Sequence, residues 1–218
     1  MILETFVCGR ARSNTYLLAP QSSGPCVIVD AGPGSAVRVS ERVAALDLTP
    51  AALLLTHGHP DHVWCAREVS AAYGIPAYVH AADLRWFDDP ATGGRMPGIR
   101  GAGRLISTLR RHRPVDLRPL DATLEVAGLR VEPLHTPGHT PGSSCLVAGE
   151  LCFSGDTIFA EGLGPTFFPG GSSAALRSSV QVCLDTLADD VRLLPGHGPS
   201  TTMGGARGFL ERYAARRR

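Results

Sequence analysis

Residues 53–64, LLLTHGHPDHVW, set three histidines and an aspartate within six positions directly after an apolar run, in a chain with 8 histidines in all. His57 and His59 stand two apart just beyond a buried strand, at the C-terminal end where sites in α/β proteins collect. Asp61 and His62 open the helix that follows. A single loop histidine is ordinarily a packing residue, whereas His-x-His-x-Asp-His in a glycine-softened turn is a ligand pattern. Three imidazoles and a carboxylate exceed what one tetrahedral zinc with an open position accepts, so the cluster points to two metals. Three further candidates of matching type each follow an apolar run and are flanked by glycine: His139 in TPGHTPGS, Asp156 in FSGDT and His197 in LLPGHGP. Such loops let a side chain come close to an ion. Imidazole and carboxylate without thiolate suit zinc, iron or manganese, and spacing does not separate these.

The elements that must position these residues read as an α/β layer protein, with short apolar runs alternating with turns and helical spacing. TYLLAP and CVIVDAG read as two strands joined by a turn over residues 21–25. Helical spacing begins at SAVRVSERVAAL, with Ser35 as the expected N-cap. ALLLT is a buried strand, HVWCAREVSAAYG one helix stopping at Gly74, AYVH a strand and AADLRWF a short helix. TLEVAGLRVEPLHT and SSCLVAGELCFSGD read as hairpins turning at Gly128 and Gly149. SSAALRSSVQVCLDTLA is an amphipathic helix, VRLLPGHG a strand entering a loop, and ARGFLERYAARRR a closing helix. Gly138 and Gly142 are expected to serve the backbone of the TPGHTPG turns. Residues 88–119, rich in glycine, proline and arginine, read as a loop or lid with one short helix near residues 105–109.

Length and composition bound the rest. A chain of 218 residues with 44% apolar content suits one domain, expected over residues 1–218. The net charge of +1 arises from 20 acids and 21 basic residues, none of them lysine. So balanced a chain has no field to steer polyanions, and no nucleic-acid partner is expected. Neither a membrane span nor a signal segment is legible, so a cytoplasmic location is expected. The 6 cysteines form no C-x-x-C pair and are expected to be small buried apolar residues. His80 and His135 read as packing residues and His112 as solvated. Oligomeric state is not legible.

On these motifs the chain resembles the metallo-β-lactamase-fold hydrolases, and within them the hydroxyacyl-thioester hydrolases of the glyoxalase II type. The resemblance runs from SNTYLL to PGHGPSTTMG, nearly the whole chain. It implies a four-layer αββα sandwich of two mixed sheets with the site at one edge between them. Carried over motif by motif, it implies that His57, His59 and His139 hold the first metal and Asp61, His62 and His197 the second. Asp156 would bridge the pair, and Asp30, in VIVDAG, would orient a ligand from behind. Two divalent ions, zinc first and iron or manganese next, would lower the pKa of a shared water toward about 7 and face the developing oxyanion. Asp61 would take a hydrogen bond, or a proton, from that bridging hydroxide.

The substrate expected on this resemblance is a small acyl thioester. A lactone or ester at the same site is the alternative, as is a persulfide at a single iron held by His57, His139 and Asp156. The oxygenase reading lacks the glycine-arginine-x-aspartate signature, for which this chain has GLGPTFFPGG. Glutamate in place of His59 would mark a flavo-diiron reductase, and cysteine in place of Asp156 a common zinc β-lactamase. The chain has neither. Where glyoxalase II proper looks to lysine and tyrosine, this loop offers proline and phenylalanine, and the helical C-terminal domain is expected to be absent. Substrate contacts are therefore expected from Phe167, Phe168, Arg207 or the loop arginines Arg95, Arg100 and Arg104. Mycothiol, bacillithiol or coenzyme A would then be the thiol carrier.

Overall fold

The structure is a computed structural model that describes residues 1–88 and 109–215. Arg95, Arg100 and Arg104 lie outside the described residues, as does most of the expected lid.

The first sheet runs in the order β1 (Ile2–Cys8), β2 (Ser13–Ala19), β3 (Gly24–Val29), β4 (Leu48–Leu54), β5 (Ala77–Val79) and β6 (Leu117–Pro119). Its first three strands pair antiparallel and the last four parallel. The crossovers carry α1 (Ser35–Ala45), the short α2 (Pro60–Val63), α3 (Ala66–Tyr73), α4 (Ala81–Asp88) and α5 (Leu109–His112). In the second sheet, β7 (Leu124–Val126), β8 (Leu129–His135), β9 (Ser144–Ala148) and β10 (Leu151–Gly155) pair antiparallel in sequence. Then β13 (Arg192–Pro195) joins β10 in parallel, with β14 (Thr201–Thr202) at its edge. Between them come a small hairpin, β11 (Ile158–Phe159) with β12 (Gly162–Leu163), and α6 (Ser173–Thr186); α7 (Met203–Ala214) closes the order.

Strand periodicity explains the layers, because successive side chains face opposite sides of a sheet. Leu17, Ile28 and Leu53 point outward and pack with Val39, Val43, Val69 and Phe87 of the first helical layer. Their neighbours Leu18, Val27, Val29 and Leu54 point inward and meet Leu146, Phe153 and Leu194 of the second sheet. On the far side, Cys145, Cys152 and Leu193 pack with Val180 and Leu184 of α6 and Leu210 of α7. The result is helices, sheet, sheet, helices, with two mixed sheets, as expected.

Three local readings need correction. Gly34, in the left-handed region at φ 84, takes the N-cap place of α1, and Ser35 is the first helical residue. The helix expected across residues 62–74 breaks after Val63, because its backbone is drawn to Ala31. The Ala31 amide donates to the His62 carbonyl at 2.6 Å, and the Ala31 carbonyl accepts the Cys65 amide at 2.8 Å. The expected lid does not extend to 119, since Leu117–Pro119 is an edge strand on β5, a place that tolerates proline. Of the short helix expected near residues 105–109, residues 105–108 lie outside the described residues, and a helical turn is described at Leu109–His112. The strand β1 and the hairpin of β11 and β12 were not legible in the sequence.

Candidate metal centre

The chain leaving β4 passes through Thr56 before the histidine turn, and Thr56 is tied down by Asp30. The Thr56 amide donates to Asp30 Oδ1 at 2.8 Å and its hydroxyl donates to Asp30 Oδ2 at 2.9 Å. With its proton so committed, the hydroxyl accepts from His57 Nδ1 at 3.1 Å, leaving Nε2 of His57 bare. Nδ1 of His62 donates to the same Asp30 Oδ2 at 2.8 Å, so its Nε2 also turns away toward the site. Asp30 itself stands at φ 58, a left-handed conformation that aspartate tolerates.

The second sheet supplies the opposing loops. His139 donates from Nδ1 to the Pro165 carbonyl at 2.7 Å, and its Nε2 lies 2.7 Å from Nδ1 of His59. Gly138, at φ 147, lets this loop pass so close to α6 that a Cβ there would fall 2.4 Å from the Leu176 backbone. Asp156 follows β10, and Gly196 leaves room for it: a Cβ on Gly196 would lie 2.1 Å from Asp156 Oδ1. His197 donates from Nδ1 to the Ala11 carbonyl at 3.1 Å. Its loop is pinned by Asn14, whose amide donates to Pro195 at 2.8 Å and Gly198 at 3.0 Å, and by the Tyr16 hydroxyl, which donates to Pro195 at 2.6 Å.

These loops bring together three overlapping groups, each with its ligand atoms within 4.8 Å of one another: His57, His59 and His139; His57, His62 and Asp156; Asp61, His62 and His197. Asp156 stands between them, with Oδ1 3.4 Å from Nε2 of His62 and Oδ2 3.3 Å from Nε2 of His139. Nε2 of His197 is 3.2 Å from Asp61 Oδ2 and 3.5 Å from Asp156 Oδ2. All seven residues expected to hold metal are thus collected in one place.

Two observations show that cations suit this cluster. Among the described residues, Nε2 of His57 and Oδ1 of Asp156 are buried without a hydrogen-bond partner, a costly state for isolated polar atoms. Elsewhere, Nε2 of His62 and Nε2 of His197, each ring already committed through its Nδ1, face one another at 3.3 Å. Burial, reinforced by neighbouring imidazoles, pushes His57 well below the usual histidine range and His59 to about 3, so both offer neutral lone pairs. Burial works against charge on His62 too, but the carboxylates of Asp156, Asp61 and Asp30 outweigh it and raise its pKa. For Asp61, burial is likewise outweighed, by His62 and His197, and its carboxyl falls to about 2. The histidine and aspartate cluster fits a dinuclear metal site.

A family model described as the metallo-beta-lactamase superfamily matches residues 8–197, a span that contains every residue of the cluster. The chain belongs to the metallo-beta-lactamase superfamily. The hydroxyacylglutathione hydrolase GloC of Haemophilus influenzae (strain ATCC 51907 / DSM 11121 / KW20 / Rd) is 34% identical over 180 residues, covering 81% of this chain and 82% of the relative. The solved structure of the BLEG-1 B3 metallo-beta-lactamase is similar at a TM-score of 0.80 and 29% identity, covering 96% of this chain and 99% of that one. A second similar structure, TTHA1623 in a di-iron-bound form, has a TM-score of 0.73 and 32% identity over 94% of this chain and 96% of its own.

Around the cluster, this superfamily member sets aromatic rings. Phe168 meets His59 edge-on at 5.2 Å and His139 at 6.1 Å, and exposed Phe167 lies against Phe168 at 4.4 Å. Trp86 of α4 lies 5.4 Å from His59, and Phe159 lies 5.9 Å from His197. Arg207 is engaged elsewhere, which corrects its reading as a substrate contact: it pairs with Asp189 and donates to the Leu184 and Leu187 carbonyls, capping the C-terminal end of α6. His112 is not simply solvated but lies 4.1 Å from Trp64 with tilted rings. His80 and His135 stack at 3.8 Å. All 6 cysteines are free and buried, as expected.

Sequence reading missed three residues that hold the loops in place: Asn14, Tyr16 and Asp83. Asn14 carries a faint signal, a polar residue inside an apolar strand that must find partners when buried. Asp83, fully buried at the start of α4, accepts from the Gly58 amide at 2.9 Å, the Thr140 hydroxyl at 2.7 Å and the Gly142 amide at 2.7 Å. Burial raises its carboxyl pKa despite those three bonds.

Proposed function

We propose that the chain is a dinuclear metal-dependent hydrolase of small acyl thioesters. The observation that carries the reading is the position of Asp156 between a three-histidine group and a group of Asp61, His62 and His197. His57, His59 and His139 would hold one divalent ion, Asp61, His62 and His197 the other, and Asp156 both. Zinc or iron fits this set of nitrogen and oxygen donors. When bound, the ions supply a water acidic enough to ionise near neutral pH and positive charge for the developing oxyanion.

The chain's own groups then have separate tasks. Asp30 fixes the ring of His62 directly and that of His57 through Thr56, so that both present Nε2. The Asp61 carboxylate, which stays ionised, accepts a hydrogen bond from the attacking water and orients it, while the proton passes to solvent. Phe168 and Phe167 line one flank and exclude water from the acyl stem, and Phe159 lines the other. A thiolate departs without help from a general acid, so the site needs no protonated group on the leaving side. The similarity to GloC supports the thioester as substrate. The similarity to a B3 metallo-beta-lactamase favours a β-lactam as the second reading.

The deciding experiment combines metal analysis with two substrates on one preparation: lactoyl-glutathione, followed by thiol release, and a chromogenic cephalosporin. We expect about two metal ions per chain and thiol release at least 100-fold faster, on the order of magnitude used for substrate discrimination, than β-lactam opening. Faster opening of the cephalosporin would reverse the choice. Two bound ions with neither activity would reject both substrates and leave the metal assignment standing.

A further inference from the structure

Two buried carboxylates support the metal cluster without belonging to it, and they touch different parts. Asp30 binds Thr56 and His62. Asp83 binds neither. Its three donors all belong to the two loops that bring His59 and His139 together: Gly58, between His57 and His59, and Thr140 and Gly142, just after His139. One of those loops extends from the first sheet and the other from the second, so the carboxylate joins them across the seam, beside the backbone bond from the Ser144 amide to the Thr56 carbonyl at 3.0 Å. Room for it has been made by glycine, since a Cβ on Gly142 would lie 2.6 Å from Asp83 Cγ. The same short helix also places Trp86 beside the His59 ring.

We propose that Asp83 is the positioning residue of the three-histidine subsite, fixing the approach of His59 to His139, so that metal affinity there depends on it while the Asp61, His62 and His197 subsite does not. This rests on the ligand assignment above, but not on the thioester as substrate. A role in stability alone would lower the melting temperature without singling out one subsite. A positioning role weakens one.

The test is a titration of the metal-free full-length protein with zinc, in competition with a chromophoric chelator, alongside thermal unfolding. Wild type should take up two ions. Asp83→Asn keeps the shape but turns an amide NH2 against N–H or O–H donors. One ion should then bind about tenfold or more weakly, as for loss of other groups that orient ligands, while the other stays within about twofold. Thr140→Val deletes a single donor, leaves the carboxylate in place, and should weaken the same ion by a smaller factor; it decides the question if Asp83→Asn does not fold. In a His197→Ala background, Asp83→Asn should weaken the ion that remains at the three-histidine group. Leu210→Ala, in the core between the second sheet and its helices, provides a destabilised control in which both affinities should hold. Unchanged affinities in both Asp83→Asn and Thr140→Val would overturn the inference, as would parallel weakening of both ions. Fewer than two ions in wild type would instead overturn the ligand assignment, and the inference with it.

Discussion

Asp156 has two ligand tasks and one side chain. Its Oδ1 has no hydrogen-bond partner, and its Oδ2 lies 3.3 Å from His139 and 3.5 Å from His197. Asp156→Ala should therefore release metal from both groups and reduce turnover on the order of 100-fold or more, as expected when an ion loses an anchor it shares. Elemental analysis and steady-state kinetics check this together, and wild-type metal content in the variant would refute the shared role. The seven cluster residues were legible in the sequence because histidine and aspartate beside glycine at strand ends are unusual residue types in a recognisable place. Asp83, Asn14 and Tyr16 were not, because nothing in ADLRW or SNTYLL states which distant carbonyl or amide each side chain will meet. Their roles exist only after loops far apart in sequence have come together.

Among elements, strands and helices with a strong apolar period were legible, and those whose form depends on a neighbour were not. The pair of residues 62–65 with Ala31 breaks a helix that the sequence alone would continue. Leu117–Pro119 becomes a strand only because β5 offers an edge. The TPGHTPG loop shows both cases. Gly138 is required by its φ of 147 and by the Leu176 backbone, whereas Gly142 is required only by the space that Asp83 fills. Gly138→Ala should thus push α6 from the loop it seats, with a cost of about 2 kcal/mol or more in urea unfolding. It should also displace His139. A stability equal to wild type would show that the loop and helix separate at little cost.

At the scale of the whole molecule, the two sheets share an apolar interior, from Leu18, Val29 and Leu54 on one side to Leu146, Phe153 and Leu194 on the other. They share the cluster as well. An ion bound only by the folded chain stabilises it by about 4 kcal/mol at 1,000 times its dissociation constant. For a chain of this length that corresponds to a loss of roughly 10 °C in melting temperature on chelation, restored when metal is returned. Identical melting with and without a chelator would count against a tightly held ion. No described helix is long and apolar enough to cross a membrane.

Each of the three ligand groups draws on loops from both sheets: His57, His59, Asp61 and His62 follow β4, while His139, Asp156 and His197 follow strands of the second sheet. No group is complete before the sheets have docked. A half-formed chain therefore presents only part of each grip. Full ligation and the docking of the two sheets are thus one condition, so a completely held ion would report that the two halves have closed in register.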